Sequence, residues 1–209
     1  LNSPKTDFGA AYAGDIKYRD LNGDGVITEQ DQRKIGDSNL AEWSYGFFVG
    51  AAYKGFDVKA LFTGVANRDY TYADLNIMAF KNEAGNGNEW GGGSVQKYHW
   101  DNRYNPQDPS TWRTAKYPRL SLLGGTHNRL DSDFWQDNGN FLRLKTLEIG
   151  YTLPQRWTRK AKISKARIFY TGYNLLTWHN MRVIDPESQP GVCNYPVQKV
   201  SSFGLSLQF

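Results

Sequence analysis

A single cysteine, Cys193, stands among the 209 residues, so no disulfide can form within the chain. Nothing around that thiol has the spacing of a metal or nucleophile motif, and it reads as structural. Long apolar runs are also missing. Without about 18 consecutive apolar residues there is no transmembrane helix. A membrane is not thereby excluded, because barrel strands alternate polar with apolar residues and keep average hydropathy low. The formal charge is only +4 and is scattered, with no basic stripe interleaved with aromatics, so nucleic acid is not an expected partner. The densest basic run (Arg156, Arg159, Lys160, Lys162, Lys165, Arg167) contains no acid and reads as a solvated turn. No nucleophile–base signature is present. Asp101, Asp108 and Glu187 are the carboxylates a glycosidase reading would use, and none has a distinguishing context, so the chain is not read as an enzyme. The chain starts at Leu1 without an initiator methionine, which reads as a processed product or a piece of a longer protein.

What the chain does have is aromatics at 15%, 21 glycines and 13 tyrosines, a composition suited to strands and tight turns. The C-terminal residues 200–209 alternate strictly. Phe203, Leu205, Leu207 and Phe209 share one face of a strand, while Ser202, Gly204, Ser206 and Gln208 share the other. Four further strands are expected: Trp43 to Tyr53, Phe56 to Ala66, one ending with Leu147, Ile149, Tyr151 and Leu153 on a face, and residues 166–178, whose faces are mixed. The Lys54-Gly55 pair between the first two is a hairpin signal.

The connections alternate in length. Residues 54–55 and 154–165 are short or moderate, and both fall at the end of the sheet where Phe209 lies. Residues 67–140 and 179–199 are long, and both fall at the opposite end. Short turns on one side with long loops on the other is the asymmetry of outer-membrane barrels. Trp43 and Trp178 would then mark the outer interface, and Tyr53, Phe56, Tyr151, Trp157 and Phe209 the inner one. The fold class is therefore all-β: antiparallel strands at the C-terminal end of a large transmembrane β-barrel with long extracellular loops. Five strands cannot close a water-filled barrel, and their open edges are costly in lipid, so the chain should complete a larger barrel and not fold stably alone.

One motif carries sharp chemistry. Asp20, Asn22, Asp24, the Val26 carbonyl, Thr28 and Asp31 stand at positions 1, 3, 5, 7, 9 and 12 of a calcium loop, with Gly25 at the sharp turn and Ile27 packing inward. The last ligand is Asp where an EF-hand has Glu, as in the shorter loops of dockerins. Thr28 can also cap a short helix running to about Lys34. The loop precedes an inward-running strand and so lies outside the membrane, where one Ca²⁺ would stabilise it.

Several stretches together resemble the C-terminal part of SusC/RagA-type TonB-dependent outer-membrane transporters of Bacteroidetes. They are residues 14–25 (GDIKYRDLNGDG), 117–120 (YPRL), 132–135 (SDFW), 140–154 (NFLRLKTLEIGYTLP), 172–178 (GYNLLTW), 185–187 (DPE) and the closing FGLSLQF. The resemblance implies a 22-stranded barrel whose plug and TonB-contacting segment lie upstream of Leu1, a SusD-like surface lipoprotein as lid, and energy-coupled import of glycans or oligopeptides with no bond broken. The terminal strand resembles the signal read by the barrel-assembly machinery. Trp90, Trp100, Trp112 and Trp135 lie in the longest loop, where they could stack on sugar rings or give the loop its own core; the second is the expectation. The alternative class is a soluble, secreted, calcium-binding β-sandwich module for glycan binding.

Overall fold

A computed structural model describes residues 3–72, 79–80, 95–121, 126–188 and 195–209. The described residues form two compact units: one from residues 3–36, 71–72, 79–80, 95–121 and 126–136, the other from residues 37–70, 137–188 and 195–209. Two short strands, β1 (Lys5–Thr6) and β2 (Val26–Ile27), pair in parallel in the first unit. The second unit is built on β3 (Trp43–Tyr53) and β4 (Phe56–Ala66). A small ribbon, β5 (Asp69–Thr71) with β6 (Gln136–Asn138), and the strands β7 (Phe141–Thr152), β8 (Lys165–His179) and β9 (Val200–Gln208) complete the set.

The five long strands make one antiparallel sheet in the order β3-β4-β7-β8-β9. All five strands expected from the sequence are present, and no strand intervenes between β4 and β7 in the ladder. Lys54 and Gly55 both take positive φ, 47° and 90°, as a two-residue turn matching the strand twist requires. Beyond β7 the chain turns through the single-turn helix α2 (Gln155–Thr158) and a 3-10 turn at Arg159–Ala161.

Register fixes which residues share a face. One rung across the sheet reads Tyr53, Phe56, Tyr151, Ile168, Leu205, and the rung two residues along reads Ala51, Val58, Ile149, Tyr170, Phe203. The rungs between them read Ala52, Asp57, Gly150, Phe169, Gly204, then Gly50, Lys59, Glu148, Thr171, Ser202. One face is therefore apolar across all five strands, and the other carries every charge. This resolves the mixed faces of β8: Ile168 and Tyr170 join the apolar face, while Arg167 and Phe169 join the polar one, where the Phe169 ring lies over Gly204. A β-bulge at Lys145 gives β7 one extra residue against β4, and β8 in turn carries one extra residue against β7, with Asn174 and Leu175 facing Lys145 alone. Because of it the apolar face of β7 passes from Leu142 and Leu144 to Leu147, Ile149 and Tyr151.

Residues 67–140, expected as one long loop, hold structure of their own. Helix α1 (Lys97–Asn102) and 3-10 turns at Pro109–Thr111, Thr126–Arg129 and Asp133–Trp135 belong to it. The helix expected after Thr28 is shorter than read: a single 3-10 turn, Glu29–Asp31, closed by a capping box between Thr28 and Asp31. Gln32 is already extended, so the chain leaves the helix before Lys34.

Candidate functional site

The first candidate is the sheet itself. Its apolar face is exposed over most of its length, with Phe203 at 86% and Phe209 at 84%, while Ala60 and Leu144 on the same face are buried. Burying such side chains is worth roughly 1.5–3 kcal/mol each, so a face this wide has to be covered by something apolar. Among the described residues no second sheet lies on it. Rings gather at both ends of the face. Phe56 and Tyr151 meet in a tilted pair at 4.4 Å beside Tyr53 at the short-turn end, and Trp43 and Trp178 stand exposed at the other.

The polar face is organised by charge. Arg167 donates through Nε to Asp57 at 3.0 Å and through Nη2 to Glu148 at 2.6 Å, and Lys59 stands 3.8 Å from Glu148. Of the basic run, Lys165 and Arg167 stand on β8, within a residue of the expected strand 166–178; the five cations other than Arg167 are exposed, while Arg167 is paired. No charge run in one segment could have told the partners, which lie 110 and 19 residues away.

The second candidate is the loop at residues 20–31. Asp20 accepts from the amides of Gly23 and Gly25 at 2.6 and 2.7 Å, and both glycines have positive φ. Asn22 Oδ1 accepts from Asp24 N, and Asp24 Oδ1 from Val26 N. Asp31 closes the circuit, accepting from Leu21 N through Oδ1 and Thr28 N through Oδ2. These amides, that of Thr28 first and then that of Leu21, hold the Asp31 carboxyl below its usual range. The amides of Lys5 and Asp7 donate to the carbonyls of Gly25 and Ile27, so by strand alternation the Val26 carbonyl between them points away from β1. Ile27 packs inward and is buried. Among the described residues no three His, Cys, Asp or Glu side chains converge as a metal cluster. A cation here would therefore need the oxygens of Asn22, Val26 and Thr28 as well as the three acids. That all-oxygen set fits a hard divalent ion.

The segment just before this loop is anchored in the same unit. Asp15, its side chain only 3% exposed, accepts from Arg119 Nε at 2.8 Å, Asn128 Nδ2 at 2.7 Å and Tyr12 N at 2.7 Å. Ile16 N donates to Asn128, and the Tyr18 hydroxyl donates to the His127 carbonyl. Burial pushes the Tyr18 phenol up to about 12. Three motifs far apart in sequence, at residues 14–25, 117–120 and 132–135, thus serve one packed core. The Trp135 ring meets Phe134 at 4.7 Å and Tyr117 at 5.8 Å.

The loop tryptophans divide. Trp135 is buried and serves the core, as expected. Trp100, beneath the Arg103 guanidinium, and Trp112, stacked on Tyr104, are exposed. Trp90 and Cys193 lie outside the described residues. Each carboxylate of the glycosidase reading has a structural use: Asp101 pairs with Lys97, Asp108 caps the turn at Ser110, and Glu187 pairs with Arg143 and Lys145.

No protein-family model matches the chain. TonB-dependent receptor P26 of Formosa agariphila is 29% identical over 210 residues, covering 94% of this chain and 20% of its own length. TonB-dependent receptor P3 of the same organism is 28% identical over 209 residues, covering 92% and 19%. The chain thus spans about a fifth of the length of the curated relatives it matches. Among solved structures, the RagAB peptide importer in its closed-closed state aligns with TM-score 0.61 and 23% identity over 91% of this chain and 20% of its own. The RagAB peptide transporter aligns with TM-score 0.60 and 23% identity over 88% and 19%. At that identity the likeness is one of fold, and it matches the antiparallel sheet to part of those structures. The resemblance read from the motifs is thus met in sequence by receptors and in structure by transporters, and none of these is named as an enzyme.

Proposed function

We propose that this chain is the C-terminal stretch of barrel wall, with its outer loops, of a SusC/RagA-type TonB-dependent transporter that imports glycans or oligopeptides across the outer membrane. The observation that carries the reading is the sheet's division into one face apolar on every strand and one face carrying every charge. Lipid takes the first face and a wet lumen the second. Such a wall breaks no bond. Its strands insulate the lumen, its outer loops meet cargo, and the energy for gating comes from TonB acting on a plug upstream of Leu1. A SusD-like surface lipoprotein is the expected partner over the loops. The curated relatives support the receptor reading. The neighbours named as peptide importers support a peptide cargo, and the exposed rings of Trp100 and Trp112 suit stacking on peptide or sugar alike.

The loop at residues 20–31 is proposed to hold one Ca²⁺ through Asp20, Asn22, Asp24, the Val26 carbonyl, Thr28 and Asp31. The ion would supply rigidity to the loop and no chemistry. The Asx turns that already order these oxygens support it.

The soluble sandwich is the weaker reading. It needs a second sheet over the apolar face, and its expected relatives are binding modules, not receptors. The deciding experiment is gel mobility of the native outer-membrane protein containing this sequence, with and without boiling. A band near full transporter size that shifts on heating supports a closed barrel. A soluble species near 24 kDa with no shift overturns it.

A further inference from the structure

Arg143 is 1% exposed, yet it stands on the polar face of β7, opposite Thr63 and Thr177. A guanidinium on a face that looks into a wet lumen should be hydrated. Its burial means that something lies over it, and the covering segment is the start of the β8–β9 connection. Both Arg143 Nη2 contacts are to the Asp185 carboxylate, at 2.7 Å to each oxygen, and Nη1 reaches Glu187 at 3.3 Å. Lys145, on the same strand, gives Glu187 a second cation at 3.3 Å. Arg68, just past the end of β4, donates to the carbonyls of Pro186 at 2.7 Å and Ser188 at 3.2 Å. At the near end of the segment Arg182 pairs with Asp137 at 2.8 Å and Met181 is buried.

We propose that residues 181–188 form an ion-held strap folded over the polar face at the long-loop end of the sheet, and that Arg143, Arg68 and Lys145 are the positioning residues that hold it there. Its meaning for transport rests on the barrel reading: the strap, not the strand ends, would then set the width of the outer mouth along this wall.

Three features make it a built device. The turn closes on itself, with Asp185 accepting from Glu187 N and the Asp185 carbonyl from Ser188 N, both at 2.9 Å. Pro186 is fully buried and pre-sets the backbone, lowering the entropy lost on docking. Arg143 and Lys145, two residues apart on β7, bring two cations to one carboxylate, that of Glu187. Lifting the strap would leave Arg143 without either carboxylate. One guanidinium nitrogen meets both Asp185 oxygens, the other meets Glu187, and Arg68 holds two carbonyls of the same segment, so several charge-assisted hydrogen bonds make closure the resting state.

The experiment uses the full-length transporter in intact cells, in a Cys193→Ser background, with a membrane-impermeant maleimide as probe. Ser188→Cys reports on the strap, because Ser188 is buried beneath Arg68; Leu40→Cys, at 81% exposure, is the open control. The strap predicts labelling at Ser188→Cys slower than at Leu40→Cys by on the order of tenfold or more. It also predicts that adding Asp185→Asn with Glu187→Gln recovers most of that difference. Labelling of Ser188→Cys at the control rate, or no acceleration on neutralising the two acids, overturns it. If the neutralised protein fails to assemble, the comparison between the first two proteins still decides. Heat-modifiability of the parent is scored separately, so failure of the barrel reading is not mistaken for failure of the strap.

Discussion

Arg167 reaches Asp57 by passing over Gly150. The two charged residues lie on β8 and β4, and β7 runs between them; a Cβ at Gly150 would stand 2.3 Å from Arg167 Nη2. The glycine is thus what lets a side chain span three strands on the polar face, with Glu148 as third member at 2.6 Å.

Gly150→Ala should therefore act through the ion pair and not through the backbone. The guanidinium can swing aside, so the expected cost is that of a charged hydrogen-bonded pair, about 1–3 kcal/mol. Arg167→Met should cost at least as much, because it leaves Asp57 and Glu148 facing each other. The double variant should fall well short of the sum. Unfolding of the assembled barrel in urea, followed by heat-modifiable mobility, reads all three; strict additivity would show that Gly150 has another role.

Leu205→Arg puts a charge on the apolar face and should cost on the order of 2–4 kcal/mol near mid-membrane. Ser206 is the matched position on the polar face, but it lies directly opposite Arg167. Ser206→Arg would add like-charge repulsion, so Ser206→Asn is the proper control and should assemble normally. Equal loss of outer-membrane assembly in Leu205→Arg and Ser206→Asn would reverse the assignment of faces.

Asp15→Ala removes the acceptor shared by Arg119, Asn128 and Tyr12. Breaking a buried pair from one side typically costs about 3–5 kcal/mol, so the unit that holds Asp15 should lose protection while the sheet stays intact. Hydrogen exchange of residues 12–18 and 117–129 in the assembled protein tests this. Protection unchanged in both segments would mean that the unit is held together elsewhere.

Chelation should loosen residues 20–31 selectively, seen as faster proteolysis after Arg19 or Arg33 in EDTA and recovery with Ca²⁺. Asp24→Asn should weaken the recovery. The pH dependence has a definite sign. The Asp31 carboxyl is held below its usual value by backbone amides. Its contribution is therefore complete above the ordinary carboxylate range near pH ~4 and is lost as pH falls through the depressed value. Loosening on mild acidification to about pH 6 would implicate another group.

Tyr18 gives the opposite dependence. Its phenol is raised to about 12 against an ordinary value near 10, so its contribution is complete below about pH 10 and is lost as pH climbs toward 12. Ultraviolet titration of wild type and Tyr18→Phe should differ by one tyrosine ionising late. An unchanged curve would place Tyr18 in water.

Period-two alternation is local, and it set most of the sheet. Once Phe203, Leu205 and Leu207 alternate with Ser202, Gly204 and Ser206, a strand with one apolar face is the only economical reading. The Lys54-Gly55 hairpin and the Asx turns of Asp20, Asn22 and Asp24 are equally local, since each oxygen meets an amide two to five residues away. Tertiary structure decided what depends on partners distant in sequence. The bulge at Lys145 switches which residues of β7 face outward, and Phe169 is tolerated on the polar face because Gly204 makes room. Arg167 finds its partner Asp57 two strands away, and Arg143 is buried by a loop 42 residues further on. In each case a side chain's environment is set by which strands lie side by side, and pairing across the sheet is a long-range choice that no single segment encodes.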